Sequence, residues 1–317
     1  DLHRRRHSFP TRRSSDLQAQ DWPKQSIKFV VPFTAGSGTD IVARAVAEKL
    51  TTALGQPVVI ENKPGAGGTI AANQVAKSNP DGYTLLFNAS TFVTAPMTMK
   101  SVPYKVQTDF TPIGLVASAP LSIAISNKLG VSDVKGLLAA LKANPGKFNF
   151  AVGSIGSAGH LCTVKLEQAA NSQIAIVPYK GTGPAMTDLI GGQVDATFNG
   201  MVATYPHVKS GKIKLLAVSS AKRNAELGNV PTVAETLPGF LTGSWQGLLA
   251  PAGTPKAVID KWHAEVTRIT ALPDIRERLS TLGAEPSSLT PAEFAAWMKS
   301  EIPAMAKIVK DGNITVD

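Results

Sequence analysis

A chain of 317 residues, 43% hydrophobic and 17% charged, carries enough apolar material for one large domain or two of ordinary size. Its formal net charge of +9 does not point to nucleic acid: five Arg and two Asp among the first 17 residues supply +3, the rest is scattered singly, and no run interleaves basic with aromatic residues. The lone cysteine, Cys162, excludes an intramolecular disulfide and a cysteine metal cluster, and no stretch reaches the ~18 consecutive apolar residues of a membrane-spanning helix.

The opening tract, DLHRRRHSFPTRRSSDL, has neither the apolar core of a secretory signal nor any helical or strand periodicity. It resembles a translated sequencing adaptor, and residues 1–20 are set aside as a non-native or disordered leader. QAQDWP resembles the residues around a secretory cleavage site, so the native signal peptide is expected to be absent or replaced. From Ile27 onward, short β-rich runs alternate with helical patterns. IKFVV reads as a strand, TDIVARAVAEKLTTAL as a helix, PVVIEN as a strand, IAANQVAKS as a helix and TLLFNAS as a strand. The alternation continues through PLSIAIS, VKGLLAALKAN, FNFAVGS, LCTVKLEQAAN, IAIVPY, PAMTDLIGG, VDATFN and KIKLLAVSS. The last third is mostly helical.

This order argues for an α/β architecture of parallel sheets covered on both faces. Two blocks look alike, VVPFTAGSGTD and FAVGSIGSAGH, each a strand, a Gly/Ser turn and a helix. They suggest two similar lobes, 21–122 plus 221–317 and 123–220, with the C-terminal helices returning to the first. A single doubly wound sheet is the alternative.

The turns carry the chemistry. In Ala35, Gly36, Ser37, Gly38, Thr39 and Asp40 the glycines permit close backbone approach, the helix start presents unpaired N–H groups, and the hydroxyls add donors. No Lys follows to make a P-loop, and Ile41 stands where a dinucleotide fingerprint needs its third Gly. A phosphate-rich cofactor is therefore not expected, and a smaller anion, such as a carboxylate, remains. An ordinary turn capped by Thr39 is the alternative. Ser154, Ser157, Ala158, Gly159 and His160 form a second such turn, and in facing lobes both would converge on one cleft. Gly181 in YKGTGPAM, and Ser90 and Thr91 in NASTF, are further candidates. Asp40 either buffers its helix start through Arg44 or fixes the loop and accepts a donor from the ligand or a water. His160 either caps its turn or contacts the ligand. G-x-S-x-G and H-E-x-x-H are absent, and the acidic residues show no metal-type pairing. No catalytic residue, metal or cofactor is expected.

From about Trp22 to the end the chain resembles the Bug-type substrate-binding proteins of tripartite tricarboxylate transporters. The resemblance is carried by PFTAGSGTDIVAR, VIENKPGAGGTIAANQVAKSNPDGYTLL, GSIGSAGHL, VPYKGTGPAMTDLIGGQVDATF, KLLAVSS, VPTVAET and LLAPAGTPKAVIDK. It implies a type II, Venus-flytrap periplasmic-binding-protein fold with two crossing segments, expected near Ser118–Ile125 and Leu215–Ser219. It implies a small organic carboxylate (a di- or tricarboxylate or an aromatic acid) gripped by Phe33, Ser37, Thr39, Asp40, Ser154, Ser157, Gly159 and His160, with Ser90, Tyr179, Gly181 and Asn199 as further contacts. It also implies a periplasmic location and transient delivery to membrane transporter subunits; the protein is expected to be a monomer. Two departures stand out: Ser37 replaces a Gly of the family loop, and Asn199 stands where the family often has Asp. A sensor acting through a partner protein and a hydrolase or isomerase using His160 are the rival readings.

Overall fold

A computed structural model describes residues 22–224, 227–240, 242–287 and 289–315; the leader expected at 1–20 lies outside them. The elements are β1 (Ile27–Val31), α1 (Gly38–Leu54), β2 (Val58–Asn62), α2 (Thr69–Ala76), β3 (Thr84–Asn88), α3 (Thr91–Thr98) and β4 (Phe110–Ser126). Then follow α4 (Val134–Ala143), β5 (Asn149–Val152), α5 (Ala158–Ala170), β6 (Ala175–Pro178), α6 (Thr182–Gly191), β7 (Ala196–Gly200), α7 (Met201–Lys209) and β8 (Ile213–Val218). The chain closes with β9 (Gly243–Pro251), α8 (Lys256–Thr270), α9 (Pro273–Ser280), β10 (Glu285–Pro286) and α10 (Pro291–Asp311).

The strands run in the order β2-β1-β3-β9-β4-β7-β5-β6, with β8 and β10 also on β4. β4 is the pivot. From Phe110 to Pro120 it pairs with β9, and from Leu121 onward with β7 and β8. One 17-residue strand thus belongs to both halves, and the hydrogen-bonded ladder is continuous although the cores are separate. The first core gathers Phe29, Phe87, Val46, Ile113 and Trp262. The second gathers Ile123, Leu137, Phe150, Leu166 and Phe198. Two sheets with distinct cores are what the repeated strand-turn-helix block implies, because each block buries its own apolar face.

Part of the stretch 221–317, which the sequence reading assigns to the first lobe, packs on the second. Val233 and Phe240 join the second core, and Phe240 stacks on Phe198 with centroids 5.6 Å apart. The chain rejoins the first half at Gly243, where β9 pairs with Pro120. The second crossing therefore lies after Leu215–Ser219. Ser219 still belongs to the hinge, because its hydroxyl accepts from Leu121 N–H (2.8 Å) and donates to the Thr242 carbonyl (2.7 Å), tying the two crossings together. The C-terminal helices do return to the first half through Ile259, Trp262, Ile275 and Phe294. The end of the chain also reaches across, packing Val309 and Ile314 on Leu161 and Val164 of α5.

Candidate functional site

The two Gly/Ser turns fold into the same device. Gly36 (φ 80°) and Gly156 (φ 74°) take the left-handed conformation that the turn needs. The next residue caps the helix: Ser37 (φ −67°, ψ 157°) opens α1 and Ser157 (φ −66°, ψ 158°) opens α5. Each cap oxygen accepts a helix N–H at 3.2 Å, from Asp40 and from His160. Ser37, not Thr39, is therefore the cap. In each turn the residue four after the glycine accepts that glycine's N–H: Asp40 Oδ2 from Gly36 at 2.9 Å, and His160 Nδ1 from Gly156 at 3.0 Å. Asp40 and His160 are equivalent latches that hold their loops in shape. Asp40 is further clamped by Arg44 (3.0 Å) and by Asn62 (2.8 Å).

Since the Ser37 and Ser157 oxygens are used as acceptors, their hydroxyl hydrogens stay available, with no acceptor among the described residues. Both side chains line one cavity of about 70 Å³ between the halves, together with the start of α3 at Ser90 and Thr91 and the start of α6 at Thr182. By the ~10–15 Å³ that one water-sized group occupies, it holds roughly five such groups. Four helix N-termini thus face one space, and each favours negative charge. No Asp, Glu, Lys, Arg or His side chain lines it. Ser154 is 92% buried, lines the same space, and its hydroxyl has no partner.

Of the residues singled out in the sequence, the cavity gathers Phe33, Ser37, Gly38, Thr39, Ser90, Thr91, Ser154, Ser157, Ala158, Gly159 and Asn199. The other six stand elsewhere. Asp40 and His160 point back into their own turns, and Gly36 spends its N–H on Asp40. Ala35 and Gly181 form the seam between the halves: a Cβ on Gly181 would lie 2.4 Å from Thr34 Oγ1, and one on Gly183 would lie 2.9 Å from the Ala35 carbonyl. Tyr179 donates to Asp188 (2.6 Å) and lines a neighbouring cavity of about 230 Å³ that shares only Phe33 and Ser154 with the first. Thr94 Oγ1 adds a bond across the seam to the Gly156 carbonyl at 2.5 Å.

The sequence reading missed the floor. Leu121 comes from β4, Ser244 and Gln246 from β9, and Gly200 and Ala203 from the junction of β7 and α7. No local motif marks these residues; they reach the cavity because the crossing strands bring them there.

His160 is 7% exposed, and burial pushes its pKa down from 6.5 to about 4. It is a neutral imidazole whose Nδ1 is occupied, so it is not placed to take a proton from Ser157. The Cys162 thiol is fully buried against Thr242 and pushed up to about 12. Among the described residues, no three His, Cys, Asp or Glu side chains converge as metal ligands, and no helix is long and apolar enough to cross a membrane.

The depressed histidine gives a testable pH dependence. Below pH 6.5 the unfolded chain takes up a proton that the folded chain refuses until about pH 4, so His160 costs stability as pH falls through that window and nothing above it. At ~1.36 kcal/mol per pH unit, about 2 kcal/mol is lost between pH 7 and pH 5. His160→Asn keeps an acceptor for Gly156 and should flatten the urea-midpoint profile across this range by that amount. An unchanged acid slope would show that the histidine is not the group responsible.

The model of the tripartite tricarboxylate transporter family receptor matches residues 42–314. Among solved structures, the periplasmic binding protein BugD is 40% identical with a TM-score of 0.89, over 93% of this chain and 99% of its own. A Rhodopseudomonas palustris protein solved with adipate is 34% identical with a TM-score of 0.91, over 93% and 99%. MatC from Rhodopseudomonas palustris, solved with bound malate, is 34% identical with a TM-score of 0.86, over 91% and 100%.

Proposed function

The chain belongs to the tripartite tricarboxylate transporter receptor family, a family of binding proteins and not of enzymes, and from that membership we propose that it is an extracytoplasmic receptor for a small organic carboxylate, handed to membrane transporter subunits. One observation carries the reading: two serine-capped helix starts, from two different sheets, turn their free hydroxyls and N–H groups into one uncharged cavity. A partly buried helix end favours a carboxylate by up to ~2 kcal/mol, and a hydrogen bond to a charged group nets ~1.5–3 kcal/mol. Two ends and a few hydroxyl donors therefore suffice to offset ordering and desolvation at micromolar affinity, which needs roughly 8 kcal/mol. No cationic side chain is required.

In this reading the site residues are Phe33, Ser37, Gly38, Thr39, Ser90, Thr91, Ser154, Ser157, Ala158, Gly159 and Asn199, joined by Thr182, Ser244 and Gln246. Asp40 and His160 hold the loops. The lobes meet at Pro120/Leu121 and Thr242/Gly243, where a hinge opens the cleft. The contacts of Thr34 with Gly181 and of Thr94 with Gly156 describe its closed form. The likeness to periplasmic binding proteins supports a periplasmic location, and in this reading the protein acts as a monomer. The test is a thermal-shift panel of mono-, di- and tricarboxylates. At a hundredfold excess over Kd a true ligand adds ~2.7 kcal/mol, a rise of several degrees. A flat response to every acid would refute the receptor reading.

A further inference from the structure

Away from the cleft, the first half holds a well of about 270 Å³ between α3, the start of β4 and α10. It shares no lining residue with the cavity between the halves. Its walls are core side chains: Val93, Phe110 and Met298 are buried with Val30, Leu86 and Phe294, and Val106 and Ile302 pack against them. Pro112 closes one side and has no N–H to offer. Behind the wall, Phe110 meets Phe92 edge-on at 4.9 Å and Tyr104 at 5.7 Å, ring packing that braces it. α10 supplies the opposite side through Ala295, Met298, Lys299 and Ile302, one stripe at helical spacing. Trp297 and Glu301 of the same helix turn the other way, toward the crossing strands beside Ala119 and Gly243.

Two polar side chains reach the well, Gln107 and Lys299, both exposed, and no acidic side chain lines it. Ala295, Ala296, Ile302 and Pro303 lie one turn either side of Lys299, so no helix neighbour can pair its ammonium. It has no ion-pair partner among the described residues. Asp109, just before β4, is held in its own turn by the Lys105 N–H (2.8 Å) and the Thr108 hydroxyl (3.0 Å).

We propose that this well binds a free single-chain amphiphile with an anionic head, its alkyl chain against Val93, Phe110 and Met298 and its head on Lys299. The inference does not rest on the receptor reading. Apolar walls left open to water are unfavourable, and an alkyl chain removes that surface from water without asking for a hydrogen bond. The single unpaired cation at the rim sets the sign of the head: an anion gains a partner, whereas a cationic head meets like charge. By the ~10–15 Å³ that one water-sized group occupies, the well holds roughly twenty, room for a chain of about eight carbons and its head. A diacyl lipid would bring two chains to space for one.

Isothermal titration with hexyl, octyl and decyl sulfate, each below its micelle concentration, tests this on the wild type, Lys299→Glu and Ala295→Trp. Both positions are exposed on α10, and unliganded melting curves check that the variants fold. In the wild type Kd should tighten about fourfold for each methylene that enters the well, and so roughly tenfold or more from hexyl to octyl sulfate. Lys299→Glu should weaken octyl sulfate about fivefold or more and leave 1-octanol unchanged, which separates the charge from the chain. Ala295→Trp, which puts an indole into the well, should abolish binding of both while the thermal shift with the acid found in the carboxylate panel stays at its wild-type value. No binding, binding that ignores chain length or survives Ala295→Trp, or equal affinity for octyl sulfate and octyltrimethylammonium would overturn the inference. So would displacement of octyl sulfate by the panel acid, which would place the chain in the cleft. Co-sedimentation of the wild type with phosphatidylglycerol vesicles, lost in Ala295→Trp, would overturn it in favour of membrane docking. A flat carboxylate panel beside chain-length-dependent binding of alkyl sulfates would refute the receptor reading and uphold this one.

Discussion

Gly159→Ala is expected to lower carboxylate affinity ten- to a hundredfold and stability by about 1–3 kcal/mol, whereas Gly38→Ala, at the start of the other capped helix, should leave stability nearly unchanged. Gly159 lies in the first turn of α5, and a Cβ there would stand 2.1 Å from the Phe198 carbonyl oxygen and 3.2 Å from its carbon. The obstacle is the backbone of β7, which no side-chain rotation can move. Nor can the helix slide: Ala158, Cys162 and Leu166 are locked in the second core, and Thr163 bonds the Gly159 carbonyl at 2.8 Å. The start of α5 must therefore retreat by on the order of 1 Å, because interiors this densely packed have no slack. Ser154 and Ser157 would move with it, out of register with Ser37, and a capped N-terminus loses its effect within a turn. A Cβ on Gly38 meets only ordinary contact, 3.6 Å from Val202 Cβ. It would also turn Gly-Ser-Gly into the Gly-Ser-Ala that the second turn already uses at Ala158. Titration with the ligand found in the carboxylate panel, alongside urea melts, separates the two variants; equal effects would refute the steric account.

The same pair of turns shows what the sequence discloses. Gly36-Ser37 and Gly156-Ser157 could be read as helix starts because small residues, a capping hydroxyl and a preceding apolar run are local signals. Asp40 and His160 were legible only as alternatives. The signal that decides between them is their shared spacing, an acceptor four residues after a left-handed glycine. That spacing occurs in both turns although one acceptor is an acid and the other an imidazole. β9 escaped the sequence reading because GSWQGLLAP is buried along most of its length and shows no alternation. The first half of β4 escaped because Pro112 and Gly114 read as a loop, whereas the structure absorbs them as a register shift against β9. α3 and α7 carry Pro96 and Pro206 inside short helices, which masks the helical period. The missing cavity residues follow from those misses. Ser244 and Gln246 reach the cavity through the pairing of β4 with β9 and Leu121 through that of β4 with β7, tertiary facts with no local signature.

Trp262→Ala should cost the first half about 3–5 kcal/mol while leaving the Kd within twofold of wild type. Trp262 is fully buried. Its indole meets Trp22 edge-on at 5.3 Å and Phe29 at 5.7 Å, and its Nε1 donates to the Gly82 carbonyl at 3.0 Å. Truncation opens a cavity among Trp22, Phe29 and Val258 and leaves the Gly82 carbonyl without its donor, so the transfer, cavity and hydrogen-bond losses coincide. None of these residues lines the cavity between the halves. Against a total of about 5–15 kcal/mol, a loss of this size should move the urea midpoint far more than any substitution at the binding loops. The ligand-induced rise in stability at a fixed multiple of Kd should nevertheless match wild type, because that increment depends only on affinity. Trp262→Phe, which keeps an aromatic wall but not the donor, should fall between the two. A loss below about 1 kcal/mol would mean that the first half collapses onto the gap. A weakened Kd in a folded variant would mean that the packing under β1 helps to set the position of Ser37, coupling core and site where the geometry shows them apart.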